Sequence, residues 1–214
     1  MDAMRFSPFL VVILACGGST SPETSAEPSE PSAQSTSGDD APGPDTPLGL
    51  MNGAQPAEGL YTAGQPTVEA LDAAHASGVR TVISLRAEDE PGQEEEGEAV
   101  ERLGLRFERL VVRGADGVTA DNARRLDELL GEASNHGDTL LHCGSSNRVG
   151  ALMALRAFFV LDATLDAAIE QGRAAGLAGL EVRVREVLEQ ACDDAPDDAR
   201  CPREFMREGG PAFR

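Results

Sequence analysis

Residues 139–150 read Thr139-Leu140-Leu141-His142-Cys143-Gly144-Ser145-Ser146-Asn147-Arg148-Val149-Gly150. Two leucines lead into a His-Cys pair, a loop of small and polar residues follows, and an arginine precedes a long apolar stretch. This order predicts a strand, a tight loop and the start of a buried helix. The backbone amides of such a loop, together with the N-terminus of the helix, form a binding site for an anion.

The same loop predicts a reactive cysteine. A helix N-terminus and a nearby guanidinium lower the pKa of a thiol, and the thiolate is the nucleophilic form. Arg148 offers a planar fork that grips two oxygens of a phosphoryl group, and Gly144 lets a ligand approach the backbone closely. His142 is expected to orient the loop from a buried position. The positions expected to brace the loop or to donate hydrogen bonds to a phosphate are Ser145, Ser146 and Asn147. The alternative is an ordinary buried thiol at Cys143, with Arg148 on the surface of a helix.

From about residue 52 onward, strand patterns alternate with helical ones. Strands are predicted at residues 60–63, 79–85, 105–112 and 138–142, the first of them an edge strand. Helices are predicted at residues 67–77, 93–103, 149–161, 164–174 and 178–191, with one more that begins at Thr119 or Asp116 and ends near Ala133. The alternation predicts an α/β fold with a mostly parallel central sheet flanked by helices. In such sheets ligands bind at the carboxyl ends of the strands, where Cys143 stands.

The N-terminal part of the chain carries targeting signals. Residues 1–16 combine a positive start with a short apolar core and end in Ile13-Leu14-Ala15-Cys16, which resembles a bacterial lipobox. They predict a lipoprotein signal peptide with a lipidated Cys16; a plain secretory signal with an incidental cysteine is the alternative. Residues 17–51, rich in Ser, Thr, Pro and Glu, predict a disordered tether, and residues 52–214 predict the catalytic domain. We therefore expect an exported lipoprotein tethered in the bacterial cell envelope, facing the periplasm or the surface.

Charge and cysteine content limit the partners. The formal net charge of −19 at pH 7 argues against a nucleic-acid partner, which requires a basic surface, and against membrane contact beyond the lipid anchor. In an oxidising compartment, pairing of Cys192 with Cys201 and lipidation of Cys16 would leave Cys143 as the free thiol. We expect no metal, because His75 and His136 have no second ligand within reach in the sequence, and we expect a monomer.

The sequence resembles the cysteine-dependent, dual-specificity-like protein tyrosine phosphatases, and in particular the bacterial group called beta-lactamase-hydrolase-like phosphatases. The resemblance covers roughly residues 59–188. The motifs that carry it are residues 142–152 together with Leu60-Tyr61-Thr62-Ala63-Gly64-Gln65-Pro66, Val82-Ile83-Ser84-Leu85-Arg86 and Glu170-Gln171-Gly172-Arg173-Ala174-Ala175-Gly176-Leu177. The resemblance implies a protein-tyrosine-phosphatase-like fold, no cofactor, and a phosphorylated protein or small molecule as substrate.

The resemblance also implies a two-step hydrolysis. Cys143 would attack phosphorus to form a phosphocysteine, while Arg148 and the loop amides hold the equatorial oxygens. An aspartate would protonate the leaving oxygen and then activate water. The family takes this acid from the loop after the preceding strand, where Asp116 stands. Asp121 is the alternative, although it fits the first turn of a helix, and Asp116 as a simple turn residue is a further alternative.

Two features depart from most protein tyrosine phosphatases. Four residues separate Cys143 from Arg148 instead of five, and Val149 stands where a hydroxyl residue usually follows the arginine. Rhodanese-type sulfurtransferases use such a shorter loop to hold a persulfide, but the bacterial group itself carries the shorter spacing. The alternative functions are therefore a rhodanese-like sulfurtransferase and a catalytically silent phosphate-binding module.

Two charged segments outside this loop are predicted to be solvated. Arg86 and Glu90 follow a predicted strand and are expected in a solvated loop; an ion pair between them near the site is the alternative. The run Glu94-Glu95-Glu96 is expected on the solvent face of a helix.

Overall fold

The computed structural model describes residues 46–202. The predicted signal peptide with Cys16, most of the predicted tether, and residues 203–214 of the predicted domain lie outside the described residues. The last residues of the predicted tether belong to the fold instead: Pro47–Gly49 form a 3-10 turn and Leu50 has no exposed surface. The folded domain therefore begins before the predicted boundary at residue 52, because the core accommodates the apolar side chain of Leu50.

Five strands form one sheet in the order β1-β2-β5-β3-β4. Their bounds are β1 Ala54–Ala57, β2 Leu60–Ala63, β3 Val79–Ser84, β4 Arg106–Arg109 and β5 Asp138–His142. Strands β2, β5, β3 and β4 run parallel to one another, whereas β1 pairs antiparallel with β2. The mostly parallel sheet is confirmed, but β2 is not the predicted edge strand. β1 covers it, a short strand whose proline suits an edge position.

Six α-helices surround the sheet within the described residues. They are α1 Val68–Ala76, α2 Gln93–Leu103, α3 Ala120–Ala133, α4 Asn147–Phe159, α5 Leu165–Ala174 and α6 Glu181–Asp194. The Thr119 side chain accepts a hydrogen bond from the backbone N–H of Asn122, so Thr119 rather than Asp116 begins α3. Gly104, in the left-handed conformation, ends α2 as predicted.

The sheet separates two layers of helices. Leu140 of β5 packs with residues of α1 and α2, whereas Leu141 packs with residues of α3 and α4. Successive side chains of a strand point to opposite faces, so His142 faces α2 and the chain then turns at Cys143 into α4. The flanked α/β architecture is the one that the sequence predicts.

The segment after α6 folds back onto α4. A disulfide joins Cys192 to Cys201, and the side chain of Arg200 donates a hydrogen bond from Nη1 to the Phe158 carbonyl at 2.7 Å. Cys143 is the free cysteine of the described residues. Across residues 46–202, no helix combines the length and the apolar character needed to cross a bilayer.

Candidate active site

Residues 143–148, which we call the cradle, connect the end of β5 to the start of α4. The Cys143 N–H donates to the Ala63 carbonyl at 3.2 Å, and the Gln65 N–H donates to the Gly144 carbonyl at 3.0 Å. Strand β2 and the residues after it therefore hold the start of the cradle. Ser146 has a φ of 68°, in the left-handed region that non-glycine residues rarely adopt. This conformation turns the chain into α4.

The first turn of α4 opens at the cradle. The N–H groups of Asn147, Arg148 and Val149 have no acceptor within the helix, because the first amides of any helix lack one. The positive end of the helix dipole lies at the same place. The cradle is thus arranged to bind an anion through its backbone.

Cys143 lies at the base of the cradle without exposed surface. It packs within an apolar cluster that includes Ile83, Val149 and Leu152. The hydrogen bond with Glu90 raises the pKa of Arg148 above its ordinary value, burial opposes this, and the contact with Cys143 raises the pKa further. The guanidinium therefore lies close enough to the sulfur to interact with it.

Three of the five N–H donors of the Arg148 guanidinium have acceptors in the fold. Nη1 donates to Glu90 Oε1 at 2.7 Å and to the Val112 carbonyl at 3.0 Å, and Nη2 donates to Glu90 Oε2 at 2.7 Å. The donors that these contacts leave, one on Nε and one on Nη2, lie on a single edge of the planar group. That edge has the geometry of a bidentate grip on two phosphoryl oxygens.

Arg86 and Glu90 do not form the solvated loop that the sequence predicts. Arg86 is 5% exposed, and its Nε donates to Glu90 Oε2 at 3.2 Å. The Ala87 N–H donates to Glu90 Oε1 at 2.9 Å. The hydrogen bond from Arg148 lowers the pKa of Glu90 from 4.5 to about 2. The sequence contained one indication that these residues lie at the site, which is their position directly after β3. The carboxyl ends of neighbouring parallel strands share one edge of the sheet, so residues after β3 and after β5 lie close together.

We expect Glu90→Gln to lower the free energy of unfolding at about pH 7 by roughly 2–3 kcal/mol. The pKa shift alone corresponds to about 3.5 kcal/mol at about 1.4 kcal/mol per unit, and solvent screening of this partly exposed side chain reduces it. The pKa of Glu90 is depressed in the folded protein, so its contribution is complete above its ordinary value of 4.5 and is lost as the pH falls toward about 2. Wild type and variant should therefore converge in acid. Denaturant unfolding at a series of pH values measures this.

Glu88→Gln is the matched control, because Glu88 is an exposed residue of the same loop. We expect it to change the free energy of unfolding by less than about 0.5 kcal/mol. A Glu90→Gln variant that stays equally destabilised at all pH values would contradict the ionised role of Glu90.

His142 and Glu96 form a buried pair behind the cradle. His142 has no exposed surface, the position expected for it, and its Nε2 lies 2.6 Å from Glu96 Oε1. Glu96 is 3% exposed, so the prediction of a solvated glutamate run is wrong for its last member. Glu96 shares the buried face of α2 with Ala99 and Val100, at the i+3 and i+4 spacing that the sequence already contained.

Two cradle side chains brace the loop instead of facing an anion. Ser146 Oγ donates to the Ala175 carbonyl at 3.0 Å. Asn147 Oδ1 accepts from the backbone N–H groups of Ala178 at 2.9 Å and Leu180 at 3.2 Å. Both side chains therefore bind the segment between α5 and α6. The predicted phosphate contacts of these two residues can come only from their backbone amides while the side chains keep these bonds.

Ser145 lies at the outer side of the cradle. It is exposed, and its carbonyl accepts from Nδ2 of Asn52 at 3.2 Å. The Gly144 Cα lies against the guanidinium, since a Cβ added there would be 3.3 Å from Arg148 Nη2. A side chain at position 144 would therefore crowd the donor edge of Arg148, which explains a glycine at that point.

Asp116 is exposed in the turn that follows β4. Its loop begins at the site, because the Val112 carbonyl accepts from Arg148. The same loop is linked to the loop after β3 by an exposed ion pair of 2.9 Å between Arg113 Nη2 and Asp89 Oδ1. The outer pair thus joins the two loops directly, and Arg148 bridges them on the inner side by contacting Glu90 of one and the Val112 carbonyl of the other.

Asp121 lies in the first turn of α3 and pairs with Nη1 of Arg124 at 2.8 Å. Its carboxylate therefore has two local roles, at the positive end of the helix dipole and in an ion pair. The sequence predicted this position in the first turn of a helix, and for that reason Asp121 was the weaker candidate for the general acid.

No protein-family model and no curated protein matches the sequence. Solved structures do match. P. aeruginosa TpbA has a TM-score of 0.55 at 21% identity over 67% of this chain and 86% of that chain. A cysteine-to-serine variant of TpbA in complex with pTyr has a TM-score of 0.50 at 20% identity over 63% and 79%.

A third structure is the core catalytic domain of the PP-IP phosphatase SIW14 from S. cerevisiae, in complex with citrate. It has a TM-score of 0.51 at 16% identity over 69% of this chain and 90% of that chain. Likeness at such low identity shows a shared fold.

Proposed function

We propose that this chain, which has the fold of the dual-specificity-like protein tyrosine phosphatases, is a cysteine-dependent phosphoric monoester hydrolase. The observation that carries the proposal is the guanidinium of Arg148. Glu90 and Val112 fix one part of it, and a two-donor edge remains beside Cys143. A fork of this kind over a cysteine at a helix N-terminus suits a tetrahedral oxyanion.

The hydrolysis proceeds in two steps. In the first, the Cys143 thiolate attacks phosphorus, an S–P bond forms, and the P–O bond to the leaving group breaks as Asp116 gives that oxygen a proton. In the second, the Asp116 carboxylate takes a proton from water, the water oxygen attacks phosphorus, and the S–P bond breaks to return the thiolate. Arg148 and the amides of residues 144–148 hold the equatorial oxygens throughout.

The substrate is a phosphorylated protein or a phosphorylated small molecule. The fold relatives include one crystallised with pTyr and one described as a PP-IP phosphatase, which supports both classes. We assign the chain to the beta-lactamase-hydrolase-like group on the motifs at residues 60–66 and 170–177. Residue 175 of the second motif braces Ser146, and residues 178 and 180, just after that motif, brace Asn147.

The proposed location is the bacterial cell envelope, with a lipid on Cys16 as the only membrane contact. The disulfide between Cys192 and Cys201 supports export, since reducing compartments keep such thiols reduced. The net charge of −19 at pH 7 supports the absence of a nucleic-acid partner. We propose a monomer that works without cofactor or metal.

We expect Asp116→Asn to slow the hydrolysis of phosphate esters with poor leaving groups by about 10²–10⁴-fold, because those leaving oxygens need a proton. Esters with good leaving groups should lose much less in the first step. The measurement is a pH–rate profile for an alkyl and an aryl phosphate, in which the basic limb, where the general acid has lost its proton, disappears in the variant.

Asp121→Asn is the matched control for this experiment. Its carboxylate is engaged in the first turn of α3 and with Arg124, so the profile should stay that of the wild type. The assignment of the acid would be reversed if Asp121→Asn flattened the profile and Asp116→Asn left it unchanged.

One observation favours a second candidate, the silent phosphate-binding module: Cys143 has no exposed surface. The sulfurtransferase alternative draws on the shorter spacing between Cys143 and Arg148 alone. Full-length protein assayed with an aryl phosphate, and separately with thiosulfate and cyanide, distinguishes the three. We expect release of phosphate and no thiocyanate. Binding of vanadate without turnover of either substrate would support the silent module instead.

A further inference from the structure

The turn that carries Asp116, residues 113–118, is called the acid turn below. Val112, just before it, and Val118, at its end, have no exposed surface, whereas Asp116 is exposed. Within the part of the chain that the structure describes, the Asp116 carboxyl has no hydrogen bond or ion pair. The position of this carboxyl therefore follows from the backbone of the acid turn.

Two peptide units flank Asp116, and both are hydrogen-bonded inside the acid turn. The Gly117 N–H donates to the Arg113 carbonyl at 3.1 Å, and the Val118 N–H donates to the Ala115 carbonyl at 3.0 Å. Each peptide unit is planar and rigid. Fixing the unit before Asp116 and the unit after it therefore sets the direction in which its side chain leaves the backbone.

Two side chains from neighbouring helices reach the same turn. Arg183 of α6 donates from Nε to the Ala115 carbonyl at 3.3 Å, across 68 residues of sequence. Asn122 of α3 donates from Nδ2 to the Gly117 carbonyl at 2.8 Å. The Ala115 carbonyl, which also accepts from within the turn, thus uses both of its lone pairs. The turn is held by its own peptide groups and by two helices.

The first turn of α6 is attached to the cradle as well. The N–H of Leu180, the residue before α6, donates to the Asn147 side chain at 3.2 Å. Val184, the residue after Arg183, is buried in the apolar cluster that also contains Val118. One end of α6 therefore contacts both the cradle and the acid turn, and it sets the spacing between them.

We propose that Arg183 and Asn122 are positioning residues of the hydrolysis. Arg183 ties the acid turn to the helix that also holds the cradle, and Asn122 holds the carbonyl of the residue after Asp116. This inference rests on the proposed function, because it concerns Asp116 as the group that protonates the leaving oxygen. A proton donor must lie within hydrogen-bond reach of that oxygen, and a displacement of about 1 Å costs as much as 10²-fold in rate.

Arg183→Met removes the donor and keeps a long side chain. We expect it to lower the kcat/KM of the full-length protein for an alkyl phosphate by about tenfold or more, and for an activated aryl phosphate by less than about threefold. The reason is that only the poor leaving group needs the proton in the first step. Asn122→Ala should lower the same ratio of the two esters. A loss by one factor for both esters, or an unchanged ratio, overturns the assignment of the residue concerned.

Two matched controls accompany these variants. The side chains of Arg183 and Arg185 are both 37% exposed, and each pairs with a glutamate of α6, so Arg185→Met removes an equivalent charge from the same helix. Asn135→Ala removes an amide that hydrogen-bonds a backbone carbonyl at the far end of α3. Both controls should keep the wild-type ratio of the two esters. A change of the ratio in Arg185→Met as large as that in Arg183→Met overturns the inference.

A double variant shows whether Arg183 acts through Asp116. With Asp116→Asn already present, Arg183→Met should change kcat/KM for the alkyl phosphate by less than about twofold, since the two changes affect one group and are not additive. A further tenfold loss overturns the inference. The two failures are distinguishable. An Asp116→Asn variant that keeps the wild-type rate shows that the assignment of the acid is wrong, whereas a slow Asp116→Asn beside an unaffected Arg183→Met shows that this inference is wrong.

Hydrogen exchange tests the hold on the acid turn without any turnover. The Val118 N–H, which bonds to the carbonyl that Arg183 also contacts, should exchange faster in Arg183→Met than in the wild type or in Arg185→Met. Faster exchange in a protein that releases no phosphate supports the hold and shows that the proposed hydrolysis is what fails. Equal exchange in all three proteins overturns the inference even if the enzyme is active.

Discussion

Cys143→Ser is expected to abolish phosphate release from an aryl phosphate, with a loss of about 10⁴-fold or more, because a serine hydroxyl at neutral pH is not ionised and the attacking group is lost. Serine differs from cysteine by one atom and fits the buried position at the base of the cradle. The fold should therefore survive. Phosphate release by the full-length protein measures the effect.

The control for this variant is Cys16→Ser, which makes the same replacement outside the cradle and should leave the rate unchanged. Binding of vanadate to Cys143→Ser should persist, since Arg148 and the backbone amides remain. Turnover of the serine variant at more than about a hundredth of the wild-type rate would show that another group is the nucleophile.

Arg148→Ala is expected to lower kcat/KM for the same substrate by about 10³–10⁵-fold. An arginine that stabilises the charge of a transferring phosphoryl group typically contributes a factor of this size. The variant also leaves Glu90 without the partner that binds both of its oxygens. We therefore expect a second effect, a lower free energy of unfolding, because a partly buried carboxylate loses its counter-ion.

A double variant separates these two effects. Arg148→Ala with Glu90→Gln removes the unpaired charge, so unfolding stability should return in part while activity stays lost. Arg148→Lys keeps the charge but not the fork, and should also be impaired. Arg113→Ala is the matched control, because its exposed pair with Asp89 is expected to contribute little. A double variant that regains activity would contradict the role of the fork.

Much of the fold was visible in the sequence. The alternation of short strand and helix patterns predicted the parallel sheet. Thr119 indicated the start of α3 as a capping residue, and Gly104 indicated the end of α2. Neither strand β1 nor the burial of Leu50 was predicted, and both were missed for the same reason. β1 contains a proline and spans only Ala54–Ala57, and Leu50 follows a polar, proline-rich stretch, so neither produces a periodic pattern long enough to recognise.

The cradle could be read from the sequence because its residues are consecutive, but its charged partners could not. Glu90 lies 58 residues before Arg148, and periodicity does not identify pairs at that distance. Glu96 was missed because a buried helix face is recognised by apolar residues, whereas this face carries a carboxylate that contacts the buried side chain of His142. A polar residue such as Ser146 can either contact a ligand or hydrogen-bond to a neighbouring segment of the chain. Only the folded structure shows which of these roles its side chain has.

The central claim is that Cys143 carries the phosphoryl group during turnover. Its most direct test is acid quenching of the full-length protein during hydrolysis of an aryl phosphate, followed by mass spectrometry of the peptide that contains Cys143. Asp116→Asn should raise the yield, because activation of water in the second step is slowed. We predict a phosphoryl group on Cys143 that appears with substrate and disappears when substrate is exhausted. An active protein in which Cys143 stays unmodified at every quench time, or carries an extra sulfur instead, would contradict the account.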